Sequence, residues 1–118
     1  MVLLVPAAKD RREIAPRHGG WCHVPAAPLS AFVDRFWAYD AYGGPHARER
    51  VLPTATTELV VSLRDDRIGP VISGAFSESF VIHVGDRPSL VGVHFKPGGA
   101  FPFLPMPVGE LHNAQLTL

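Results

Sequence analysis

From Pro28 the apolar residues fall at helical intervals: Leu29, Phe32, Val33, Phe36 and Trp37 occupy i, i+3, i+4, i+7 and i+8, one face of an amphipathic helix. Pro28 suits a first helical turn and Gly43-Gly44 close the segment, so the spacing predicts a helix there, with Ser30, Asp34 and Arg35 facing outward. After Gly43-Gly44-Pro45 the period changes to two. Runs at 48–53, 57–63, 70–73, 79–84 and 90–96 read as strands, with a turn at Asp65-Asp66 and Gly-, Ser-, Asp- or Pro-bearing turns between the others. Such spacing is that of an antiparallel meander, sandwich or small barrel. Pro97-Gly98-Gly99 then leads into two short helical turns, near 100–104 and 107–111, and 115–118 begins one more element. The expected fold is mainly β (α+β): a curled antiparallel sheet or small barrel, with one amphipathic helix near the N-terminus and short helical turns near the C-terminus. Residues 1–20, ending in Arg17-His18-Gly19-Gly20, carry no sustained period and read as a flexible arm, leaving 21–118 as a single β domain.

Composition narrows the picture. A chain of 118 residues, 47% apolar and 19% charged, fits one ordinary globular domain, and 11 Gly with 12 Pro argue for short elements rather than a helical bundle. Eleven Lys+Arg balance eleven Asp+Glu, which removes the electrostatic attraction that underlies non-specific nucleic-acid binding. No direct nucleic-acid contact is expected of this chain. No apolar run approaches the roughly 20 residues that span a bilayer, so no membrane partner is expected either. The single cysteine, Cys22, forms no internal disulfide and builds no zinc site by itself. The opening MVLLVPAA has no basic residues before its apolar run and meets Lys9, Asp10, Arg11 and Arg12 at once, unlike a signal peptide. The expected compartment is the cytoplasm.

Strand alternation supplies the candidate chemistry. In 57–63, Leu59, Val61 and Leu63 share a core face while Glu58 looks the other way with Thr56 and Ser62. In 90–96, Val91, Val93 and Phe95 form the apolar face, opposite Leu90, Gly92, His94 and Lys96. If the strands are neighbours, Glu58, His83, His94 and Lys96 line one concave surface, a polar wall for a small ligand around an apolar pocket floored by Trp37 or Phe36. The competing reading is the solvent face of a one-sided sheet. The ligand-binding residues expected on this basis are Trp37, Glu58, His94 and Lys96. Six histidines are present, but none stands in H-x-H or H-E-x-x-H spacing or pairs with a second cysteine, so no metal and no cofactor is expected. No G-x-S-x-G elbow occurs, no catalytic residue can be named, and Cys22 beside His23 reads as a small packed hydrophobe rather than a thiolate nucleophile. Gly98-Gly99, near Lys96, fits either an anion cradle or a tight strand-to-turn corner, and the corner is the favoured reading.

Three segments carry a resemblance: Pro28-Leu29-Ser30-Ala31-Phe32-Val33-Asp34-Arg35-Phe36-Trp37; Arg48-Glu49-Arg50-Val51-Leu52-Pro53-Thr54 leading to Glu58-Leu59-Val60; and Gly92-Val93-His94-Phe95-Lys96-Pro97-Gly98-Gly99-Ala100 through Phe103-Leu104 and Glu110-Leu111. Over residues 25–118 the chain resembles the N-terminal domain that precedes the DNA-binding half of many bacterial AraC-type transcription regulators. That resemblance implies a non-enzymatic, sensor-like domain that binds a small-molecule effector or mediates dimerisation, as a homodimer or by pairing with a full-length regulator. No helix-turn-helix pattern occurs within the 118 residues, so the family's DNA binding is not carried over. Ala55 and Pro105 stand where the family pattern leads one to expect glycine. The resemblance supplies no ligand residues. Two other readings remain: a small enzyme using Glu58, His83 and His94, and a fragment of a broken gene without function.

Overall fold

A computed structural model describes residues 20–39, 48–63, 69–83 and 89–118. The arm assigned to the first residues, the Gly43-Gly44 break and the Asp65-Asp66 turn lie outside them, apart from Gly20. Eight strands are present among the described residues: β1 (Gly20–His23), β2 (Val33–Tyr39), β3 (Arg48–Val51), β4 (Glu58–Ser62), β5 (Val71–Ser73), β6 (Phe80–His83), β7 (Leu90–Phe95) and β8 (Gln115–Thr117). Six form one antiparallel sheet in the order β1-β2-β7-β4-β5-β8, and β3 pairs with β6 in a second, two-stranded sheet. The larger sheet is open, with β1 and β8 at its edges, so the barrel alternative does not hold.

The expected amphipathic helix is not there. Leu29–Ala31 makes a single 3₁₀ turn, and the residues after it run straight into β2. The ambiguity has a simple origin: the adjacent apolar pairs Phe32-Val33 and Phe36-Trp37 form one stripe on a helix, yet equally supply apolar groups to both faces of a strand that is covered on either side. With Val33, Phe36, Trp37 and Tyr39 in the segment, β-branched and aromatic residues decide for the strand. Arg35, expected to face outward, is buried as a consequence. The short turns expected near the C-terminus are present as 3₁₀ turns at Phe101–Phe103 and Val108–Leu111.

Each face of the large sheet buries different chemistry. On one, Val33, Phe95 and Ala100 form a core packed by Phe32, Phe36, Leu59, Val93, Leu104 and Val108. The segment after β7 supplies the lid of this core. Gly98 takes a φ of +72°, and Gly99 lies so close to the Phe32 carbonyl that a side chain would overlap it. The glycine pair therefore makes the tight corner, its geometry fixed by Gly99 N–H donating to the Lys96 carbonyl at 2.7 Å. The expected apolar row in β4 is only partly buried: Leu59 joins the core but Leu63, past the strand end, is exposed. On the other face Trp37 and Val60 are 4% exposed, so that face is covered as well, and it carries the polar groups.

Candidate functional site

A β-bulge creates the site. Val33 pairs with Phe95 but Arg35 pairs with His94, so β2 advances by two residues where β7 advances by one. Val33 thus faces the apolar core, and Arg35 turns to the opposite face. His94 in turn pairs with Glu58 on β4. Cross-strand partners project to the same side, so Arg35, His94 and Glu58 stand in one row across β2, β7 and β4. The next row along the strands is Trp37, Gly92 and Val60.

Gly92 lets the second row reach the first. Having no side chain, it leaves room for the Trp37 indole to lie over β7, where Trp37 Nε1 donates to Glu58 Oε1 at 2.7 Å. His94 Nδ1 lies 3.7 Å from the same carboxylate oxygen, an ion-pair separation when the imidazole is protonated but too long for a hydrogen bond. Its Nε2 is 3.3 Å from Thr56 Oγ1, and Thr56 Oγ1 donates to Thr54 Oγ1 at 3.2 Å. With the Thr56 proton directed to Thr54, Nε2–H of His94 is the donor to Thr56, and Nδ1 is the nitrogen turned to Glu58. Arg35 Nε approaches Asp34 Oδ2 at 3.2 Å without hydrogen-bond alignment. Arg35 Nε and His94 Nδ1 are accordingly both buried without a hydrogen-bond partner. Buried polar atoms are almost always paired, and an unpaired one costs about 1–3 kcal/mol. Two on adjacent residues of one row are a mark of unmet binding capacity.

Tyr39 extends the face along β2, its ring tilted against Trp37 with centroids 5.7 Å apart. Burial raises its phenol pKa above the ordinary value; the negative charges of Cys22 and Glu58 act in the same direction and Arg35 opposes them. The phenol is a neutral group at physiological pH.

Of the residues expected from the sequence, Trp37, Glu58 and His94 come together. Lys96 does not: it lies beyond the end of β7 and its Nζ donates to the Ser30 carbonyl, at the 3₁₀ turn. His83 belongs to β6, which pairs with β3 and not with β4 or β7, so the expected neighbourhood of Glu58, His83 and His94 is not formed by the sheet. Cys22, expected to pack, is exposed on the edge strand β1 opposite Trp37. Arg35, Tyr39 and Gly92 were missed as site residues. Reading 33–39 as a strand puts Arg35, Trp37 and Tyr39 on one face by alternation, which was the available signal. Among the described residues no group of three or more His, Cys, Asp or Glu side chains is placed to hold a metal ion. The arrangement offers a carboxylate, an imidazole and a guanidinium around an indole, a set suited to holding a small polar molecule.

Neither the comparison with curated proteins nor that with solved structures finds a match. The sequence profile of a family described as a domain of unknown function (DUF6597) matches residues 22–117, which include nearly all of the six-stranded sheet and the whole polar row, and the chain belongs to that family.

Proposed function

We propose that this chain is the effector-binding domain of an AraC-type transcription regulator, a non-enzymatic module that holds a small molecule on the polar face of its large sheet. The observation that carries the reading is the buried row of Arg35, His94 and Glu58 with two polar atoms lacking partners. A sheet face that served only packing would be apolar there, because burying unpaired polar groups opposes folding. The resemblance of the Pro28–Trp37 and Gly92–Ala100 segments to such regulators supplies the biological setting. His83 stands outside the ladder joining Glu58 and His94, which favours binding over acid-base chemistry. Dimerisation is the second half of the resemblance, and the exposed Leu29, Phe101 and Phe103 are the apolar groups that favour it.

A thermal-shift screen of the chain against a metabolite library tests the reading. A ligand at about 100 times its Kd adds about 2.7 kcal/mol of stability, on the order of 10 °C for a domain of this size. Hits whose shift disappears in Glu58→Ala support the proposal. A library of charged and neutral compounds that produces no shift at all removes it.

A further inference from the structure

The identity of the unpaired groups specifies the ligand's chemistry, given the sensor reading above. We propose that the polar row binds a small hydroxycarboxylic acid, its carboxylate on Arg35 and its hydroxyl between His94 and Glu58. Arg35 is 7% exposed and its Nε, always a donor, has no hydrogen-bond partner. Only an acceptor completes it, and the planar guanidinium fork matches a carboxylate better than any neutral oxygen. Asp34 does not fill that role, because its contact with Nε lacks hydrogen-bond alignment and its side chain is 30% exposed.

The other end of the row asks for a group that both donates and accepts. Glu58 gives one oxygen to Trp37 Nε1 and retains acceptor capacity, since an ionised carboxylate has about four lone-pair sites. His94 Nδ1 faces that carboxylate across 3.7 Å with no hydrogen bond of its own. A hydroxyl in reach of both donates to Glu58 and accepts from Nδ1–H when the imidazole is protonated. Charge placement agrees. Arg35 and Glu58 lie two strands apart, and neighbouring strands are about 4.8 Å apart, so an acid bound at Arg35 keeps its negative charge away from Glu58. The indole of Trp37 offers an apolar wall for the carbon chain between.

Isothermal titration of the full chain with two matched pairs of probes tests this. Gluconate and sorbitol differ by the carboxylate, and 3-hydroxybutyrate and butyrate differ by the hydroxyl. Gluconate and 3-hydroxybutyrate are expected to bind, with sorbitol and butyrate at least about tenfold weaker. Arg35→Met abolishes the preference for gluconate over sorbitol. Should that variant fail to fold, Arg35→Lys keeps the charge without the fork and weakens gluconate at least about tenfold. Glu58→Gln, whose side-chain carbonyl still accepts from Trp37, brings 3-hydroxybutyrate towards butyrate. Sorbitol binding as well as gluconate, or butyrate as well as 3-hydroxybutyrate, overturns the ligand class while leaving the sensor reading intact. Absence of binding by all four also overturns this assignment, and the metabolite screen then decides the sensor reading separately.

Discussion

Trp37 occupies the space that a side chain on Gly92 would take. A Cβ placed on Gly92 would stand 2.7 Å from Trp37 Nε1 and closer still to the ring carbons, and that overlap falls in the middle of the sheet. The indole cannot stay where it is in Gly92→Ala, and its displacement also breaks the bond to Glu58. A loss of about 1–3 kcal/mol is expected, as for other overpacked sites. Urea unfolding measures it, and Trp37 emission in a Trp21→Phe background follows the movement without the signal of the exposed Trp21. Unchanged stability and emission would show that the ring does not lie on Gly92.

Glu58 anchors the indole as an acceptor, and its charge is a separate matter. Glu58→Ala leaves Trp37 Nε1 buried without a partner, at a cost of about 1–3 kcal/mol. Glu58→Gln presents a carbonyl at the same place and is expected to keep most of that stability. A double-mutant cycle with Trp37→Phe isolates the pair, with a coupling of about 0.5–3 kcal/mol. Additive effects of the two substitutions would mean that the hydrogen bond contributes nothing.

Most strands after Pro45 were legible in the sequence because period-two runs between turn residues have few other readings: β4, β5, β6 and β7 fall within a residue or so of their expected places, while 115–118 was read only as the start of an element of unstated type. Glu58 and His94 were found on one face by the same rule. What the sequence hid was non-local. The bulge at Asp34 sets Val33 on the core face and Arg35, Trp37 and Tyr39 on the polar one, and no local pattern announces an extra residue in a ladder whose partner lies about sixty residues away. The apolar pairs Phe32-Val33 and Phe36-Trp37 were ambiguous in principle, and only pairing with β1 and β7 resolves them. Lys96 was misplaced for a related reason, since alternation ends with the strand and the Gly98 corner then redirects the chain.

Three glycines near the core lid separate close packing from backbone conformation. At Gly74 a Cβ would stand 2.6 Å from Leu111 Cβ and nearer to the Leu111 backbone, and Leu111 is 3% exposed. Gly74→Ala therefore pushes the last 3₁₀ turn off β5, costing about 1–3 kcal/mol. Gly98→Ala has open space but a φ of +72°, which costs a residue with a Cβ about 1–2 kcal/mol. Gly109 has neither obstacle, and Gly109→Ala should fall within about 0.5 kcal/mol of wild type. Denaturant midpoints for the three variants give the order directly, and a Gly109→Ala loss as large as that of Gly74→Ala would contradict the packing of the lid.

Tyr39 carries a pH signature of the polar face. Burial, with Cys22 and Glu58 adding to it, raises its phenol pKa above the ordinary 10.0, so the folded state holds this proton more tightly than the unfolded chain does. By linkage, stability is unaffected by this group while pH stays below the ordinary value. It falls once pH passes 10.0, where unfolded Tyr39 releases its proton, and levels off only above the raised folded pKa. Tyr39→Phe removes this titration and leaves the other tyrosine and the lysines in place. Urea midpoints of both proteins from neutral pH to about pH 11 therefore fall more steeply for wild type than for Tyr39→Phe on the alkaline side. Parallel curves would place the phenol in water, and with it the end of the sheet face next to Trp37.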